Sequence, residues 1–500
     1  MPQHSVNKNI VILGGGTAGW MAANLLQHHL APSGFCITLI ESPEIGIVGV
    51  GEGSTPQLKM FFNTLGIAEN DWMPACNATY KNGISFVDWS NEPGFSKYFH
   101  PFPSHSDRQT AKPFLLNCMA RRKGSSVHAH PDRFFLSAYL AEHELSPIRQ
   151  SNQGVPINYA YHFDAVLLGK YLSKRAVAKG VTHIQARAKD FINHANGDIA
   201  SILTACGQHI SGDIFIDCSG FRSLLLQQHL AVNFNSYQSS LFNDAAIALP
   251  SPGKTPLKAQ TVSRAMDNGW AWDIPLTNRT GNGYVYSSAF ISADDAEVEL
   301  RTKLAMLDSD VPARRLSMKI GRVEQHWAKN CLAVGLSQGF IEPLEATALH
   351  LVQETIESFV SAFSAGNFTA QHQGQFNQRI NARFDGIRDY ISCHYKVNTR
   401  SDTEYWRANR ENMHISDSLR HILDCWDKGG DITAEIARQN IAAYYPAVSW
   451  HCLLAGYGRF APLNTGKGPV NDDKNLLQID GFIKRCAKQF KGHQDALEFT

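Results

Sequence analysis

The chain has 500 residues, of which 43% are apolar and 18% charged, so it can bury a large core and is long enough for about three domains. This composition excludes a disordered or fibrous protein. The 46 basic side chains nearly balance the 45 acidic ones, and a net charge of +1 gives no field that would hold nucleic acid or an anionic membrane.

The ten cysteines are scattered along the chain and never form a Cys-x-x-Cys pair, which disfavours a zinc or redox motif. No run of about 18 apolar residues occurs, and the segment before Asn9 is polar, without the basic and apolar regions of a signal peptide. We therefore expect reduced thiols, a cytoplasmic location and no membrane association. The histidines show no metal-ligand spacing, so we also expect no metal site.

The chain begins with a strand, a glycine turn, a helix and a second strand. Residues 10–13 are apolar and bounded by glycines, residues 17–30 have a helical composition with few breakers, and residues 36–40 are again apolar. This order is one βαβ unit, which predicts an α/β fold with a doubly wound, Rossmann-like parallel sheet.

The glycine turn reads Gly14-x-Gly16-x-x-Gly19, and Glu41 follows 22 positions after Gly19 at the end of the second strand. A tight turn without function is the alternative for the glycines alone. Here they follow a predicted strand and open a helix, so the backbone can approach a pyrophosphate at the helix N-terminus while Glu41 binds a ribose hydroxyl. The sequence therefore predicts a dinucleotide site.

Later segments return to this sheet. A helical period spans residues 164–179, strand-like residues 181–187 follow, Asn196-Gly197 predicts a turn, and residues 214–216 are apolar. The stretches near 70–150 and 235–330 are rich in proline, glycine and aromatic residues, with strand-like pieces such as 284–290. We expect a discontinuous FAD-binding fold over residues 1–365 with these stretches as an inserted mixed-sheet substrate region, and a mostly helical, substrate-covering part over 366–500.

Two further features concern the cofactor. Residues 212–220 form an apolar strand followed by Asp217 and a turn of small residues, a pattern typical of FAD-dependent hydroxylase-like folds near the flavin, although an ordinary strand and turn is the alternative. The chain has no second Gly-x-Gly-x-x-Gly, so we expect no NAD(P)H site. Together they favour FAD.

Trp270-Ala-Trp272-Asp-Ile-Pro275 places two tryptophans at i and i+2, on one face of an extended segment. For most aromatic pairs a place in the core is the commoner explanation. Together with the glycine turn, however, this motif resembles that of the flavin-dependent halogenases, the tryptophan-halogenase-like family.

Other segments resemble the same family over nearly the whole chain, more weakly after about residue 430. Residues 50–56 are similar to a strap beside the flavin, residues 80–86 to the segment with an essential lysine, and residues 335–347 to the block with the active-site glutamate. The resemblance assigns FAD binding to Gly14, Gly16, Thr17, Ala18, Gly19, Glu41, Gly51, Glu52, Ala188, Leu336 and Leu349. It assigns catalysis to Lys81 and Glu345, halide binding to Thr347 and Ala348, and substrate binding to His100, Phe102, Trp270 and Trp272.

Both catalytic assignments have simpler alternatives. Most lysines lie in water without a chemical role, and Pro343 suits the first turn of a helix, where the helix dipole favours Glu345 whatever its function. The chain also departs from the family at Ala346 and Ala348, where tryptophan-specific members commonly have Ser and Gly.

The resemblance implies an activity. Reduced FAD, supplied by a separate flavin reductase, reacts with O2 and a halide, chloride or bromide, to give hypohalous acid, which reaches Lys81 and is either hydrogen-bonded or bound as a haloamine. Glu345 then assists halogenation of the aromatic carbon. Residues 444–460 do not match the lid that holds an amino-acid substrate, so we expect a small indole-type substrate. An FAD-dependent aromatic hydroxylase and a non-catalytic flavin- or indole-binding protein are the alternatives.

Overall fold

A computed structural model describes residues 8–44, 51–151, 156–463 and 473–498. The chain forms two compact units, and it enters each of them three times. The first unit comprises residues 1–77, 163–237 and 319–385, and the second comprises residues 78–162, 238–318 and 386–500.

The main sheet of the first unit has six strands. Five neighbouring strands are parallel, and only the strand at one edge is antiparallel to its neighbour. The order is Trp327–Ala328, Cys331–Ala333, Ile214–Asp217, Lys8–Leu13, Phe35–Glu41 and Thr182–Gln185. The predicted α/β class with a doubly wound sheet is confirmed, and the Thr17–Leu30 helix has the bounds that the sequence predicts.

Apolar helix faces form much of the core of this unit. The Thr17–Leu30 helix buries Trp20, Met21, Leu25 and Leu26, and the amide of Asn24 donates to the Leu172 carbonyl of the Ala165–Ala178 helix. The Ala348–Ala365 helix buries a face consisting of Leu351, Val352, Ile356, Phe359 and Phe363. After Gly339, the helical period of Leu349, Val352, Ile356, Val360 and Phe363 predicts a face that contains Leu349 and Val360 instead of Leu351 and Phe359. Both are half-buried, because the buried stripe is rotated by part of a turn from the predicted one.

The first unit also contains two small antiparallel sheets. One consists of Ala188–Asn193, Ile199–Thr204 and His209–Ser211, with Gly197 in the predicted turn. The other consists of Phe234–Ser236, Gly321–Val323 and Gly339–Phe340. The remaining elements are the short strand Gly51–Gly53 and the helices Gln57–Thr64, Glu69–Trp72 and Ala165–Ala178.

The second unit contains a mixed sheet of seven strands, as the sequence predicts for the substrate region. Its order is Arg314–Ser317, Ala245–Pro252, Arg279–Tyr286, Gly269–Pro275, Thr261–Met266, Gly83–Val87 and Lys97–Pro101. All neighbours are antiparallel except Thr261–Met266 and Gly83–Val87, which are parallel. The strand predicted over 284–290 ends at Tyr286, because the Phe290 N–H turns back to the Ser287 carbonyl.

Helices and two short ladders form the rest of this unit. The helices are Arg108–Arg122, Leu136–Glu142, Ala293–Lys303, Glu404–Glu411, Asp417–Asp427, Ile432–Gln439, Ala447–Gly456 and Asp473–Ala487. The helix Gln373–Lys396 divides between the units after residue 385. Thr79–Lys81 pairs with Ala160–Asp164, and Leu145–Arg149 pairs with Phe490–Gly492. The C-terminal part is therefore mostly helical, as expected.

The sequence places an insertion near 70–150 and 235–330, whereas the second unit takes in 78–162, 238–318 and also 386–500. We keep the discontinuous FAD-binding domain as a proposal about function. In the described ranges, no helix is both long enough and apolar enough to cross a bilayer.

Candidate active site

The glycine turn of the first unit has little room for side chains. Gly14 has φ +117°, and a Cβ there would lie 2.2 Å from the Cys218 carbonyl oxygen. A Cβ on Gly19 would lie 1.9 Å from the Gly14 carbonyl oxygen. A Cβ on Gly16 would meet no described atom within 4 Å, so the space in front of the helix N-terminus stays open. Gly14 and Gly19 allow the tight turn, and the open space at Gly16 leaves a cradle for a phosphate group.

Glu41 lies directly against this turn. Its Oε1 is 3.0 Å from Nε2 of His183, and its Oε2 occupies the place that a Cβ on Gly15 would take. At the helix start, Ala18 follows Thr17, whose hydroxyl donates to the Ala165 carbonyl. An open backbone cradle with an acidic side chain beside it fits the pyrophosphate and ribose of FAD.

Glu52 and Ala188 are the other predicted cofactor residues outside the glutamate block. Glu52 follows Gly51 in the Gly51–Gly53 strand; burial, and secondly the charge of Asp164, raise its pKa to about 7. Val50 of the predicted strap lies outside the described residues. Ala188 is half-buried and begins its strand opposite Thr204.

Residues 335–347, the block that contains Glu345, contact the start of the Thr17–Leu30 helix. Gly335 has φ +71°, and a Cβ there would lie 2.7 Å from Cβ of Ala18. Leu336 follows in a single 3-10 turn, and Leu349 lies in the first turn of the Ala348–Ala365 helix; both are half-buried. The first unit thus brings the glycine turn and the block together.

Pro343 lies in the first turn of a helix, as the sequence predicts, but this is a short 3-10 helix and not the long α-helix that follows it. Pro343–Glu345 is a separate 3-10 turn that ends at Ala346, whose φ of +55° is left-handed, and the α-helix begins only at Ala348. The reason is that the left-handed residue breaks the helical path between the two elements. Glu345 is 6% exposed at the end of this turn, so it is a buried carboxylate.

The backbone after Glu345 has the geometry of an anion site. Left-handed Ala346 is followed by Thr347 in the right-handed region, a succession that turns consecutive N–H groups towards one point. The Ala346 N–H donates to the Pro343 carbonyl. The N–H groups of Thr347 and Ala348 open the helix, where no intrahelical acceptor exists for them.

In the second unit, Lys81 ends the Thr79–Lys81 strand and its side chain is 0% exposed. Its Nζ lies 5.7 Å from the ring centroid of Phe102. Lysines are almost never fully buried unless they are paired, so the alternative of an ordinary surface lysine does not fit this position.

His100 and Phe102 lie at the end of the Lys97–Pro101 strand. His100 is buried opposite Ile84, and its Nε2 is 3.4 Å from the hydroxyl of Tyr390. Phe102 follows the strand and is half-buried beside Lys81. The structure therefore brings an aromatic ring to the predicted lysine.

Trp270 and Trp272 are buried in the Gly269–Pro275 strand, with ring centroids 6.2 Å apart. Gly283 on the next strand makes room for the second ring, because a Cβ there would lie 2.0 Å from it. The indole N–H of Trp272 is buried and has no acceptor among the described residues. The pair thus lies on one face of the strand, as the spacing predicts.

The carboxylate of Asp217 accepts several hydrogen bonds from neighbouring residues of the first unit. Its carboxylate accepts hydrogen bonds from the backbone of Ser219, Leu225 and Leu226 and from the hydroxyl of Ser337. This carboxylate caps the turn after its strand, so its role is structural.

Sequence reasoning missed several residues around Lys81. His162 bonds Thr79 and Thr261, and His493 accepts from the Tyr80 N–H. The alternation of residues 159–164 would have predicted the strand that carries His162, but not its partners.

Comparisons with known proteins show the family to which the chain belongs. A family model described as tryptophan halogenase matches residues 9–466. The 7-chloro-L-tryptophan 6-halogenase KtzR of Kutzneria sp. (strain 744) is 36% identical over 477 residues, 90% of each chain. The crystal structure of the tryptophan 6-halogenase SttH from Streptomyces toxytricini has a TM-score of 0.86 at 33% identity and covers 99% of this chain and 100% of its own.

A further solved structure is BrvH, a flavin-dependent halogenase from Brevundimonas sp. BAL3, with a TM-score of 0.83, 31% identity, and coverage of 98% of this chain and 99% of its own. Family match, identity and coverage thus lead to one conclusion. The chain belongs to the flavin-dependent tryptophan halogenase family and is an enzyme of that family.

Proposed function

We propose that this protein is an FADH2-dependent halogenase that chlorinates or brominates an indole-type aromatic substrate through Lys81 and Glu345. The observation that carries the proposal is the fully buried Lys81 beside the ring of Phe102, in a chain of the halogenase family. A buried amine next to an aromatic surface can transfer an electrophilic halogen to a carbon of an aromatic substrate.

The FAD site is formed by the glycine turn and the residues around it. The open backbone at Gly16 receives the pyrophosphate, and Glu41 the ribose. Thr17, Ala18, Gly51, Glu52, Ala188, Leu336 and Leu349 complete the proposed contacts. When bound in its reduced form, the cofactor supplies hypohalous acid from O2 and halide.

The halide binds the backbone N–H groups of Thr347 and Ala348. The left-handed Ala346 directs these groups to one point, and the positive end of the helix dipole favours an anion there. A site made of backbone N–H groups tolerates either chloride or bromide, since it offers no side-chain shape that excludes the larger ion.

Lys81 receives the hypohalous acid in one of two ways. As an ammonium it donates a hydrogen bond to the oxygen and polarises the halogen. As an amine it forms an N–halogen bond and releases water, with the amine proton leaving on that water. The halogen then bonds the aromatic carbon as its bond to oxygen or to nitrogen breaks, and the bonding electrons stay on the departing hydroxide or on the lysine nitrogen, which takes up a proton to become the amine again. Burial of Lys81 keeps bulk water from consuming the reagent.

Glu345 acts on the cationic ring that results. A carboxylate near the reacting carbon stabilises the positive charge and accepts the proton that the carbon must lose. Its burial strengthens the interaction, because the local dielectric constant is lower than in water.

His100, Phe102, Trp270 and Trp272 supply the aromatic faces for the substrate. Good aromatic pairs contribute about 0.5 to 1.5 kcal/mol beyond burial of area.

The test mixes the protein with FAD, NADH, halide and indole, with and without a flavin reductase. We expect a halogenated indole only when the reductase is present, because the chain has a single dinucleotide motif. An oxygenated product would indicate the hydroxylase, no product despite flavin binding would indicate a binding protein, and halogenation without reductase would contradict the proposed partner.

A further inference from the structure

The strand that carries Lys81 is held by a histidine on the same face. Thr79 and Lys81 point to one side of the strand, and the residues opposite them are His162 and Ala160. The small Ala160 leaves space across from the lysine, and His162 is its diagonal neighbour. His162 is 0% exposed, so the polar atoms of its ring require partners within the protein.

The hydrogen bonds assign the protons on this ring. Nδ1 of His162 is 3.0 Å from the hydroxyl of Thr79, and Nε2 is 2.9 Å from the hydroxyl of Thr261. The Thr79 hydroxyl donates its single proton to the Pro275 carbonyl at 2.7 Å. It can therefore only accept from His162, which makes Nδ1 the protonated nitrogen.

The other nitrogen must then accept. Burial, followed by the charges of Lys81 and His493, lowers the pKa of His162 well below its usual range, so the ring is neutral. A neutral ring protonated at Nδ1 has a lone pair at Nε2, which accepts the proton of the Thr261 hydroxyl. The direction of each hydrogen bond along Thr79, His162 and Thr261 is thus defined.

This chain of bonds joins the His162 strand, Ala160–Asp164, to three further strands. Thr79 belongs to the lysine strand, Thr261 begins the strand next to Gly83–Val87, and Pro275 ends the strand that carries both tryptophans. The backbone N–H of Tyr80 donates to Nε2 of His493, whose Nδ1 bonds the Leu257 carbonyl. Each of the two residues before Lys81 in the strand is therefore bonded to a buried histidine.

We propose that His162 is a positioning residue for Lys81: as a neutral ring between Thr79 and Thr261, it fixes the lysine strand relative to the tryptophan strand without reacting itself. This inference rests on the proposed function, because it concerns the same lysine. In this arrangement, the hydrogen bonds of Thr79, His162 and Thr261 orient the amine of Lys81. Among the four residues that face each other here, Thr79, Lys81, Ala160 and His162, Lys81 is the only charged one.

The first test removes one hydroxyl. Thr261→Val keeps the shape but deprives Nε2 of its donor, and Thr261→Ser restores the donor. We expect Thr261→Val to lower the halogenated product per flavin oxidised about tenfold, a factor that corresponds to about 1.4 kcal/mol, while the KM for indole changes less than about twofold. Thr261→Ser should recover most of the yield.

A matched control and a second variant accompany it. Thr110 is a buried threonine of the same unit whose hydroxyl donates to the Asp107 carbonyl, and Thr110→Val should leave the yield per flavin unchanged. His162→Gln removes the ring, and thermal midpoints of all variants show whether they are folded. Imidazole ¹⁵N shifts should identify Nδ1 of His162 as protonated and Nε2 as an acceptor.

The outcomes separate this inference from the proposed function. If Lys81→Met halogenates like the wild type, the proposed function is wrong. If Lys81→Met is inactive but folded Thr261→Val and His162→Gln keep their yield per flavin, only the positioning role is wrong. A loss in Thr261→Val that Thr261→Ser does not repair, or a ring protonated at Nε2, also overturns it.

Discussion

The two proposed catalytic residues are buried more deeply than is usual for charged side chains. Lys81 is 0% exposed and Glu345 is 6% exposed, although both residue types normally remain in water. Desolvating a charged group is unfavourable unless interactions offset it. Residues kept in such places are candidates for function, because a neutral side chain of similar size would fill the same space more favourably.

Replacement of Lys81 tests its proposed role directly. Lys81→Met keeps much of the volume but removes the amine, so halogenation should fall below detection while FADH2 oxidation and peroxide release continue. Product yield and flavin oxidation are measured in parallel, and a thermal midpoint near that of the wild type shows that the fold is intact. A variant with near wild-type yield would show that the amine is dispensable.

Replacement of Glu345 by glutamine should lower kcat at least about tenfold, if the carboxylate contributes about 1.4 kcal/mol to the transition state. The same carboxylate precedes the Ala348–Ala365 helix, where its charge contributes about 0.3 to 1 kcal/mol to stability. Glu342→Gln is a matched control, since Glu342 is also buried in this block. An unchanged rate in a folded Glu345→Gln protein would leave only the helix-dipole role.

The sequence could identify Lys81 but not the residues that hold it. Lys81 lies in a segment whose letters resemble a family motif, whereas His162 acts through Thr79, Thr261 and Pro275, which are distant in the chain. Such contacts depend on strand register and on the direction of each hydrogen bond. Neither is encoded in local spacing.

At the scale of elements, each of the three neighbouring glycines of the turn is a glycine for a different structural reason. Gly14 requires a positive φ and close contact with Cys218, Gly15 makes room for Glu41, and Gly16 leaves the helix N-terminus open. Gly14 is therefore required both for its conformation and for space, whereas Gly15 and Gly16 are required for space alone.

Gly15→Ala should therefore weaken FAD binding, although Gly15 occupies a variable position of the dinucleotide motif. Its Cβ would lie 1.5 Å from Oε2 of Glu41, so the carboxylate must leave the turn. We expect the Kd for FAD to rise at least about tenfold, as for the loss of about 1.4 kcal/mol. Gly374→Ala, where a Cβ would meet no described atom within 4 Å, should leave the Kd unchanged. Equal affinities for both variants would contradict this account.

Elements with strong local signals were predicted well. The Thr17–Leu30 helix has glycines before it and a continuous run of helix-forming residues, so both ends agree. The strand predicted over 284–290 was wrong beyond Tyr286, because the turn at Ser287 is made by backbone hydrogen bonds within a segment that still looks apolar and aromatic. The helix face after Gly339 was rotated, because its burial depends on the neighbours of the helix.

A buried histidine predicts how stability depends on pH. His326 is stacked on Phe384 with ring centroids 5.1 Å apart, and burial, followed by the charge of Arg322, lowers its pKa to about 3. The unfolded chain binds a proton near pH 6.5 that the folded chain does not. Stability from this group is therefore complete above pH 6.5 and is lost as the pH falls from 6.5 towards 3.

His326→Phe should flatten this dependence. Between pH 6.5 and 5 the free energy of unfolding should fall less steeply than in the wild type, by up to about 1.4 kcal/mol per pH unit. Denaturant unfolding at several pH values measures the slopes, and His209→Phe at an exposed position should keep the wild-type slope. Identical slopes for His326→Phe and wild type would mean that His326 is accessible to protons in the folded state.

For the whole molecule, composition predicts that the chain has a sheet-rich insertion, but it does not predict which unit the C-terminal part joins. Residues 386–500 group with the second unit, which already contains 78–162 and 238–318. The helices of this part carry ordinary amphipathic patterns, and their partners are set by long-range contacts. This grouping bears on the substrate, because residues 444–460 belong to the same unit as Lys81 and Phe102.

The composition of residues 444–460 predicts the substrate preference. Arg459 is the only Asp, Glu, Lys or Arg in this stretch, and its guanidinium already pairs with Asp427. Apart from Ser449 and His451, whose Nδ1 is 2.8 Å from the Ala447 carbonyl, the rest is apolar or aromatic, with Tyr445 stacked on Tyr390 at a centroid distance of 3.5 Å. A zwitterionic amino-acid group needs charged partners, and burying it without them is unfavourable by more than ring stacking contributes.

We therefore expect kcat/KM for free indole to exceed that for tryptophan, with bromide used at least as readily as chloride because bromide is easier to oxidise. Equimolar indole and tryptophan compete in one reaction, and mass spectrometry measures both products, once with each halide. Indole-3-acetate is the control for the carboxylate alone and should react more slowly than indole. Predominant halotryptophan would show that residues 444–460, despite their composition, hold an amino acid, and the substrate proposal would then be wrong while the halogenase proposal stands.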